Sequence, residues 1–109
     1  MRSATLGIMF LCLCTTTAQA EEGLASTYNY PQPVACGGRY DRLAMTAAHK
    51  TLPCGTRVKV IGSNGRSIMV TINDKGPYRA GRIIDLSFAA AQAIGMGYGL
   101  MRVKIEVVE

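Results

Sequence analysis

Alternation of apolar and polar residues predicts several β-strands along this chain. Within residues 66–72, the apolar side chains of Ile68, Val70 and Ile72 fall on one face, and this period of two is typical of a half-buried strand. The alternation recurs, over shorter or longer stretches, at residues 23–30, 56–61 and 100–108. Short strands with little helix and no repeats predict a mostly-β protein, either a small barrel or a sandwich.

Two aspartates follow apolar strands and precede turns. Asp74 ends the strand of residues 66–72 and is followed by the turn residues 75–77, Lys-Gly-Pro. Eleven residues later, Asp85 follows the apolar pair Ile-Ile and precedes Ser87, which is placed to cap a short alanine-rich helix that Gly95 ends. Side chains at strand ends are often those that a rigid scaffold presents for chemistry.

The first twenty residues predict a secretory signal peptide. Arg2 supplies a positive charge, residues 6–14 form an apolar core, and Ala18-Gln-Ala20 resembles a cleavage site. The apolar run is shorter than the ~20 residues that a membrane-spanning helix needs. Lipidation at Cys12 or Cys14 is the other alternative, but neither cysteine follows a small residue. We therefore expect export to the periplasm, cell envelope or medium, with residues 21–109 as one domain.

Cleavage after Ala20 leaves two cysteines, Cys36 and Cys54. In an exported chain of this size, two cysteines most simply form one disulfide, and a pair of buried free thiols is the alternative. The chain has a single histidine and lacks a Cys-x-x-Cys pair, so we predict neither a metal site nor a cofactor.

The chain is basic, with 12 Lys and Arg against 7 Asp and Glu and a net charge of +5. We do not predict nucleic-acid binding, because an exported domain rarely meets nucleic acid and alternation explains most basic residues as solvent faces of strands. A polyanionic polymer such as the cell wall would still be attracted by this charge.

Three ordered blocks, the first made of residues 73–78 and 81–87, give the chain a specific resemblance to one family. Residues 73–78 read Asn-Asp-Lys-Gly-Pro-Tyr, residues 81–87 read Gly-Arg-Ile-Ile-Asp-Leu-Ser, residues 46–56 include Thr-Ala-Ala-His, and residues 23–28 read Gly-Leu-Ala-Ser-Thr-Tyr. Together they resemble the double-psi β-barrel domain of the rare lipoprotein A family over roughly residues 23–108. The resemblance implies a six-stranded double-psi β-barrel with one or two short helices and one disulfide. The cysteine-containing segments are also similar to those of expansins, which share the barrel.

Members of that family are lytic transglycosylases of bacterial peptidoglycan, so the resemblance implies this activity here. A lytic transglycosylase needs one carboxylic acid, because the 6-hydroxyl of the muramic acid is the nucleophile that closes a 1,6-anhydro ring. The match implies Asp74 as the acid and base, with His49 and Asp85 as further catalytic residues. The predicted substrate-binding residues are Thr46, Tyr78, Arg82 and Tyr40. Of these, Thr46 could also orient Asp85.

The residues alone also allow a plainer interpretation. Asp74 is well placed for an Asx turn and Asp85 for a position ahead of a helix. The family commonly carries a glutamate eleven residues before its histidine, where this chain has Gly38. We therefore expect weak activity with an acidic optimum, or no detectable activity, because a neighbouring carboxylate would favour the protonated form of a catalytic aspartic acid.

Three functions remain open at this point. The first is a monomeric transglycosylase that acts on peptidoglycan glycan strands. The second is a non-catalytic, expansin-like module that binds or loosens the wall through the same groove and Asp85. The third is a secreted effector or inhibitor that uses the basic face of the barrel against a protein.

Overall fold

The computed structural model describes residues 20–108, in which six strands close into a barrel beside one short helix. The elements are β1 (Ala20–Thr27), β2 (Thr46–Ala48), β3 (Arg57–Gly62), β4 (Ser67–Asp74), β5 (Arg82–Leu86), α1 (Phe88–Ile94) and β6 (Met101–Val107). Around the barrel the order is β1-β5-β2-β4-β3-β6. The β1–β5 and β2–β4 pairs are parallel and the other pairs antiparallel. The predicted fold class is confirmed.

Alternation places the core where the sequence predicted it. Val58, Val60, Val70 and Ile72 point inward from the β3–β4 hairpin and are almost completely buried. The other members of the core come from β1, β2, β5, β6 and the inner face of the helix: Ala25, Ala47, Ile83, Ile84, Leu86, Ala90, Ala91, Ile94, Val103 and Ile105. The hairpin therefore forms one wall of a single core that the short helix covers.

The helix begins and ends as its sequence predicts. Ser87 is the N-cap, and its hydroxyl accepts a hydrogen bond from the backbone N–H of Ala90 at 3.1 Å. Gly95 ends α1 with a φ of 85°, in the left-handed region that favours glycine. The N-cap at Ser87 fixes where β5 ends and α1 begins, and hence the position of Asp85 at the end of the barrel wall.

The disulfide between Cys36 and Cys54 is present, with 5.7 Å between the two Cα atoms. It joins the loop between β1 and β2 to the loop between β2 and β3. The first of these loops folds into a small hairpin, in which Pro33 pairs with Arg39. The backbone N–H of Cys36 donates to the carbonyl of Asn73 at 3.1 Å, so this hairpin is fastened to the end of β4.

The predicted signal peptide comprises residues 1–20. Of these, residues 1–19 lie outside the described residues, and Ala20 begins β1. Across residues 20–108, no helix is long and apolar enough to cross a membrane.

Candidate active site

The sheet brings Asp74 and Asp85 to either side of one residue of β2. Ala48 pairs with Asp74 of β4 on one side and with Asp85 of β5 on the other. Two strand spacings separate the backbones of the aspartates by about 10 Å. Paired residues share a face, and the preceding residue, Ala47, points into the core. Both carboxylates therefore lie on the outer face of the barrel wall.

A β-bulge is what turns Asp74 to that face. Ala47 pairs with Ile72, but the next residue, Ala48, pairs with Asp74, so β4 contributes one extra residue there. Strict alternation would have placed Asp74 on the same side as Ile72, which is fully buried in the core. Bulges commonly re-aim a side chain beside an active site, and this one frees the carboxylate of Asp74 from the interior.

One oxygen of the Asp74 carboxylate is held by the backbone. Its Oδ1 accepts a hydrogen bond from the N–H of Ala35 at 2.8 Å and from the N–H of Lys75 at 2.9 Å. The Lys75 bond joins neighbouring residues, whereas the Asx turn that the sequence allowed would use the N–H of Gly76, two residues on. Both bonds go to Oδ1, and the Tyr28 hydroxyl lies near the same carboxylate.

Asp85 is held by a residue that the sequence analysis did not select. Ser26 of β1 pairs with Asp85 in register, and its hydroxyl donates to Oδ1 of Asp85. Thr46, which we expected to orient Asp85, has a buried hydroxyl that finds no hydrogen-bond partner among residues 20–108. It lies two residues before Ala48 and so on the same outer face. A role for Thr46 in substrate binding stays a prediction.

Tyr28 is a second residue that the sequence analysis did not place in the site. Its side chain is only 8% exposed, and burial, followed by the negative charge of Asp74, raises the pKa of its hydroxyl. The hydroxyl faces the carboxylate of Asp74, and it exposes almost no surface to solvent. The only indication in the sequence is position, because Tyr28 follows Ser26 by two residues within a matched block.

The structure separates the side chain of His49 from both aspartates. Nδ1 of His49 accepts from the backbone N–H groups of Thr51 at 3.1 Å and Leu52 at 3.2 Å. The proton is therefore on Nε2, which donates to Oε1 of Glu21 at 2.9 Å. This pair lines a cleft of about 330 Å³ that Ile105 of the core also borders. The link to Asp74 is through the backbone, because the N–H of His49 donates to the carbonyl of Asp74 at 3.2 Å.

The predicted binding residues differ in their exposure and in their position relative to the aspartates. Tyr78 is 76% exposed beside the turn that follows Asp74. Arg82 is half-buried in β5 and pairs with Leu24 of β1. Tyr40 stacks on Tyr28 with 4.6 Å between ring centroids.

An aromatic recess of about 220 Å³ adjoins the stacked rings of Tyr28 and Tyr40. It is lined by Asn29, Tyr30, Pro31, Tyr40 and Arg42. The guanidinium of Arg42 lies 3.9 Å above the ring of Phe88 and donates from Nε to the Asn29 side-chain oxygen at 3.1 Å. Flat rings beside a cation suit a sugar with polar substituents.

The described part of the chain, residues 20–108, offers few groups that could ligate a metal. There, no group of three or more His, Cys, Asp or Glu side chains is placed to hold a metal ion. The groups around Asp74 are hydroxyls, amides and aromatic rings, and groups of these kinds bind polar organic ligands.

Comparisons with known proteins match nearly the whole described domain. A family model described as lytic transglycolase matches residues 20–105. The chain is 50% identical over 93 residues to a protein of Nostoc sp. named probable endolytic peptidoglycan transglycosylase RlpA, covering 79% of this chain and 25% of that protein. Proteins named endolytic peptidoglycan transglycosylase RlpA match from Pseudomonas aeruginosa, at 47% identity over 80% of this chain and 27% of theirs, and from Vibrio cholerae, at 48% over 81% and 35%. The chain thus spans about a quarter to a third of the length of these relatives.

Solved structures confirm the barrel. The Streptomyces papain inhibitor superposes with a TM-score of 0.67 at 29% identity, covering 84% of this chain and 96% of that one. An expansin of Clavibacter michiganensis superposes with a TM-score of 0.58 at 21% identity, over 84% of this chain and 51% of that one. The expansin shares the fold alone at this identity.

Proposed function

Since this chain belongs to the lytic transglycolase family of RlpA-like double-psi β-barrels, we propose that it is an endolytic peptidoglycan transglycosylase. It cleaves glycan strands and leaves 1,6-anhydro-muramic acid ends. The observation that supports this best is the placement of Asp74 on the outer wall, with one carboxylate oxygen held by two backbone amides.

The proposed reaction uses the second carboxylate oxygen of Asp74, Oδ2, as the proton donor. Protonated Oδ2 of Asp74 donates its proton to the glycosidic oxygen, and the bond from that oxygen to C1 of the muramic acid breaks. The Asp74 carboxylate then takes the proton of the 6-hydroxyl as the 6-oxygen bonds to C1, which regenerates the acid. One carboxyl group serves both steps, and water is not consumed.

Asp85 supplies a fixed negative charge on the same face. Its carboxylate is held by Ser26, and its backbone lies about two strand spacings from that of Asp74. A carboxylate there stabilises the positive charge that develops at C1 as the bond breaks. We therefore assign Asp85 to orientation and charge stabilisation rather than to proton transfer.

His49 fits a supporting role in this scheme. Its imidazole fixes the backbone of Thr51 and Leu52, and the carbonyl of Leu52 accepts a hydrogen bond from Nζ of Lys75 at 2.8 Å. The N–H of Lys75 in turn holds Oδ1 of Asp74. A connected set of contacts thus runs from His49 to the proposed acid, which makes His49 a positioning residue in this proposal.

Export, the cell envelope and the monomeric state belong to the same proposal. The signal-peptide pattern of residues 1–20 supports export, and the net charge of +5 supports attraction to an anionic wall polymer. Cleavage after Ala20 would leave Glu21, the partner of His49, at the start of the mature chain.

Two other functions have supporting observations. The expansin-like barrel and the aromatic recess beside Tyr40 suit glycan binding without cleavage. The superposition on nearly the whole length of the Streptomyces papain inhibitor favours inhibition of a papain-like protease as a second candidate. Addition of the purified protein to papain, with cleavage of a peptide substrate as the readout, tests the latter directly.

Mass spectrometry of the products separates these functions. Purified peptidoglycan incubated with the protein should release fragments that end in 1,6-anhydro-muramic acid, which are lighter by one water than the hydrolysis products. Reducing ends without the anhydro ring would indicate hydrolysis. If no fragments are released and the glycan binds, the expansin-like function is the correct one.

The glycine at position 38 gives a testable prediction about pH. Gly38 lies in the hairpin that contributes the Ala35 amide to Asp74. A Cβ added there would meet no other atom within 4 Å, although the φ of 83° disfavours side chains. We expect Gly38→Glu to raise activity and move the pH optimum toward neutrality, because a nearby carboxylate favours the protonated form of an aspartic acid. The rate of anhydro-product formation against pH measures this.

Gly38→Gln is the matched control for that variant. It carries the same backbone strain, roughly 1 kcal/mol for a left-handed residue, and nearly the same shape without the charge. Identical pH profiles for the two variants would show that position 38 does not act on Asp74.

A further inference from the structure

The aromatic recess has no part in the proposed reaction, although its lining is open to a ligand. Its lining residues are Asn29, Tyr30, Pro31, Tyr40 and Arg42. Tyr30 is 61% exposed and Arg42 is also exposed, so a ring and a guanidinium both face solvent. At about 220 Å³, the recess is smaller than the ~300 Å³ at which sites for whole small molecules begin. It therefore suits one group of a longer ligand.

Two stacked rings connect the recess to the proposed acid. The ring of Tyr40, which lines the recess, packs on the ring of Tyr28 with 4.6 Å between centroids. The hydroxyl of Tyr28 faces the carboxylate of Asp74. The recess therefore lies beside the proposed active site, and a glycan strand bound at Asp74 can reach it with a neighbouring sugar.

The side chain of Arg42 is held in place before any ligand binds. Its guanidinium lies 3.9 Å above the ring of Phe88, and Nε donates to the side-chain oxygen of Asn29 at 3.1 Å. Its backbone carbonyl accepts from the N–H of Ala89 at 2.9 Å. These contacts use Nε and the face of the guanidinium, so the N–H groups on Nη1 and Nη2 are the donors that Arg42 offers a ligand. A group fixed in advance loses less entropy on binding.

The positive charge of Arg42 is not balanced by a neighbouring carboxylate. Among residues 20–108, Arg42 takes part in no ion pair. The carboxylate of the preceding residue, Asp41, accepts the backbone N–H of Leu43 at 2.9 Å. Arginine binds carboxylates through paired N–H groups, and an exposed tyrosine ring suits a sugar. The lining therefore matches a sugar that carries a carboxylate.

We propose that the aromatic recess is a subsite for a carboxylate of the glycan strand, and that Arg42 binds this carboxylate while Tyr30 packs against the sugar. The inference rests on the proposed function for the identity of the ligand, because muramic acid is the sugar of peptidoglycan that bears a carboxylic acid. Where the stem peptide is absent, the lactyl group supplies the carboxylate. Where the stem peptide is present, the lactyl group is an amide and the peptide supplies carboxylates instead.

Three oligosaccharides of alternating N-acetylglucosamine and N-acetylmuramic acid test the proposal. The first has free lactyl carboxylates, the second has neutral lactyl carboxamides, and the third carries stem peptides. Calorimetry measures their binding in an Asp74→Asn background, which prevents turnover. We expect a charged ligand to bind about fivefold more tightly than the neutral one, the upper range for an exposed ion pair. The lactyl group is the source of the carboxylate if the first ligand shows this preference, and the stem peptide is the source if only the third does.

Arg42→Gln should abolish this preference, and Arg42→Lys should keep part of it. The ratio of the two affinities excludes any structural effect of losing the contacts with Phe88 and Asn29, because that effect is common to both ligands. Melting temperature measures the structural effect separately. Arg102→Gln is the matched control, since Arg102 is an exposed arginine of β6 and its loss changes the net charge equally. Tyr30→Ala should weaken the binding of all three ligands.

Three results would overturn the inference: equal affinity for the neutral and both charged ligands, a preference that Arg42→Gln retains, or no measurable binding of any ligand. Failure of the proposed function gives a different result. In that case the unmodified protein releases no anhydro-muramic product, although binding still favours the carboxylate and depends on Arg42. If product is released while the preference is independent of Arg42, the inference alone is wrong.

Discussion

Asparagine at position 74 is expected to abolish turnover while leaving the fold and glycan binding intact. General acid–base catalysis contributes roughly 10²–10⁴-fold to a rate, so anhydro-product release should fall by about that factor. The asparagine side-chain oxygen can still accept the two backbone N–H groups that hold Oδ1. Only the oxygen that carries the proton is lost. Product release by mass spectrometry, melting temperature and oligosaccharide affinity measure the three parts of this expectation.

The other aspartates provide the comparison. Asp85→Asn should reduce turnover by about tenfold and weaken binding, because Ser26 can still donate to the amide oxygen while the charge is lost. Asp41 is exposed and its Oδ1 accepts the N–H of Leu43 at 2.9 Å, so Asp41→Asn controls for the loss of a turn carboxylate and should be close to wild type. If Asp85→Asn alone is inactive, the roles of Asp74 and Asp85 are reversed.

The parts of this fold that the sequence predicts are those with a repeating pattern. The β3–β4 hairpin and β6 follow from alternation, and the ends of α1 follow from Ser87 and Gly95. β1 begins three residues earlier than the predicted segment and ends at Thr27. β2 has only three residues, too few for a period to be recognised. Its place between β4 and β5 is nevertheless what joins the two aspartates into one site.

The site was predictable in its residues but not in its contacts. Both aspartates stand at strand ends in the sequence, yet their common face depends on the bulge at Asn73–Asp74, which leaves no mark in an alternating pattern. Ser26 lies 59 residues from Asp85, and Glu21 lies 28 residues from His49. Such pairs arise only when the barrel closes, so local spacing gave no reason to select either residue.

Removal of the disulfide is expected to cause the largest loss of stability. Cys36 and Cys54 are 18 residues apart, and closing a loop of that length contributes about 3 kcal/mol in the chain-entropy model. For a domain of this size, the melting temperature should fall by about 10–20 °C. The double variant Cys36→Ala, Cys54→Ala avoids a free thiol, and calorimetry of the variant against the oxidised protein measures the difference.

The structure adds a consequence for activity. Ala35, the residue before Cys36, donates its N–H to Asp74, and Cys36 donates its own to Asn73. Without the disulfide the hairpin that carries these amides is fastened less firmly, so activity should also fall at temperatures well below the melting point. Reducing agent should produce both effects in the unmodified protein and neither in the double variant. Full activity of the folded double variant would show that the Ala35 amide does not need the disulfide to hold Asp74. Two reactive thiols in the denatured, unreduced mature protein, residues 21–109, would contradict the disulfide itself.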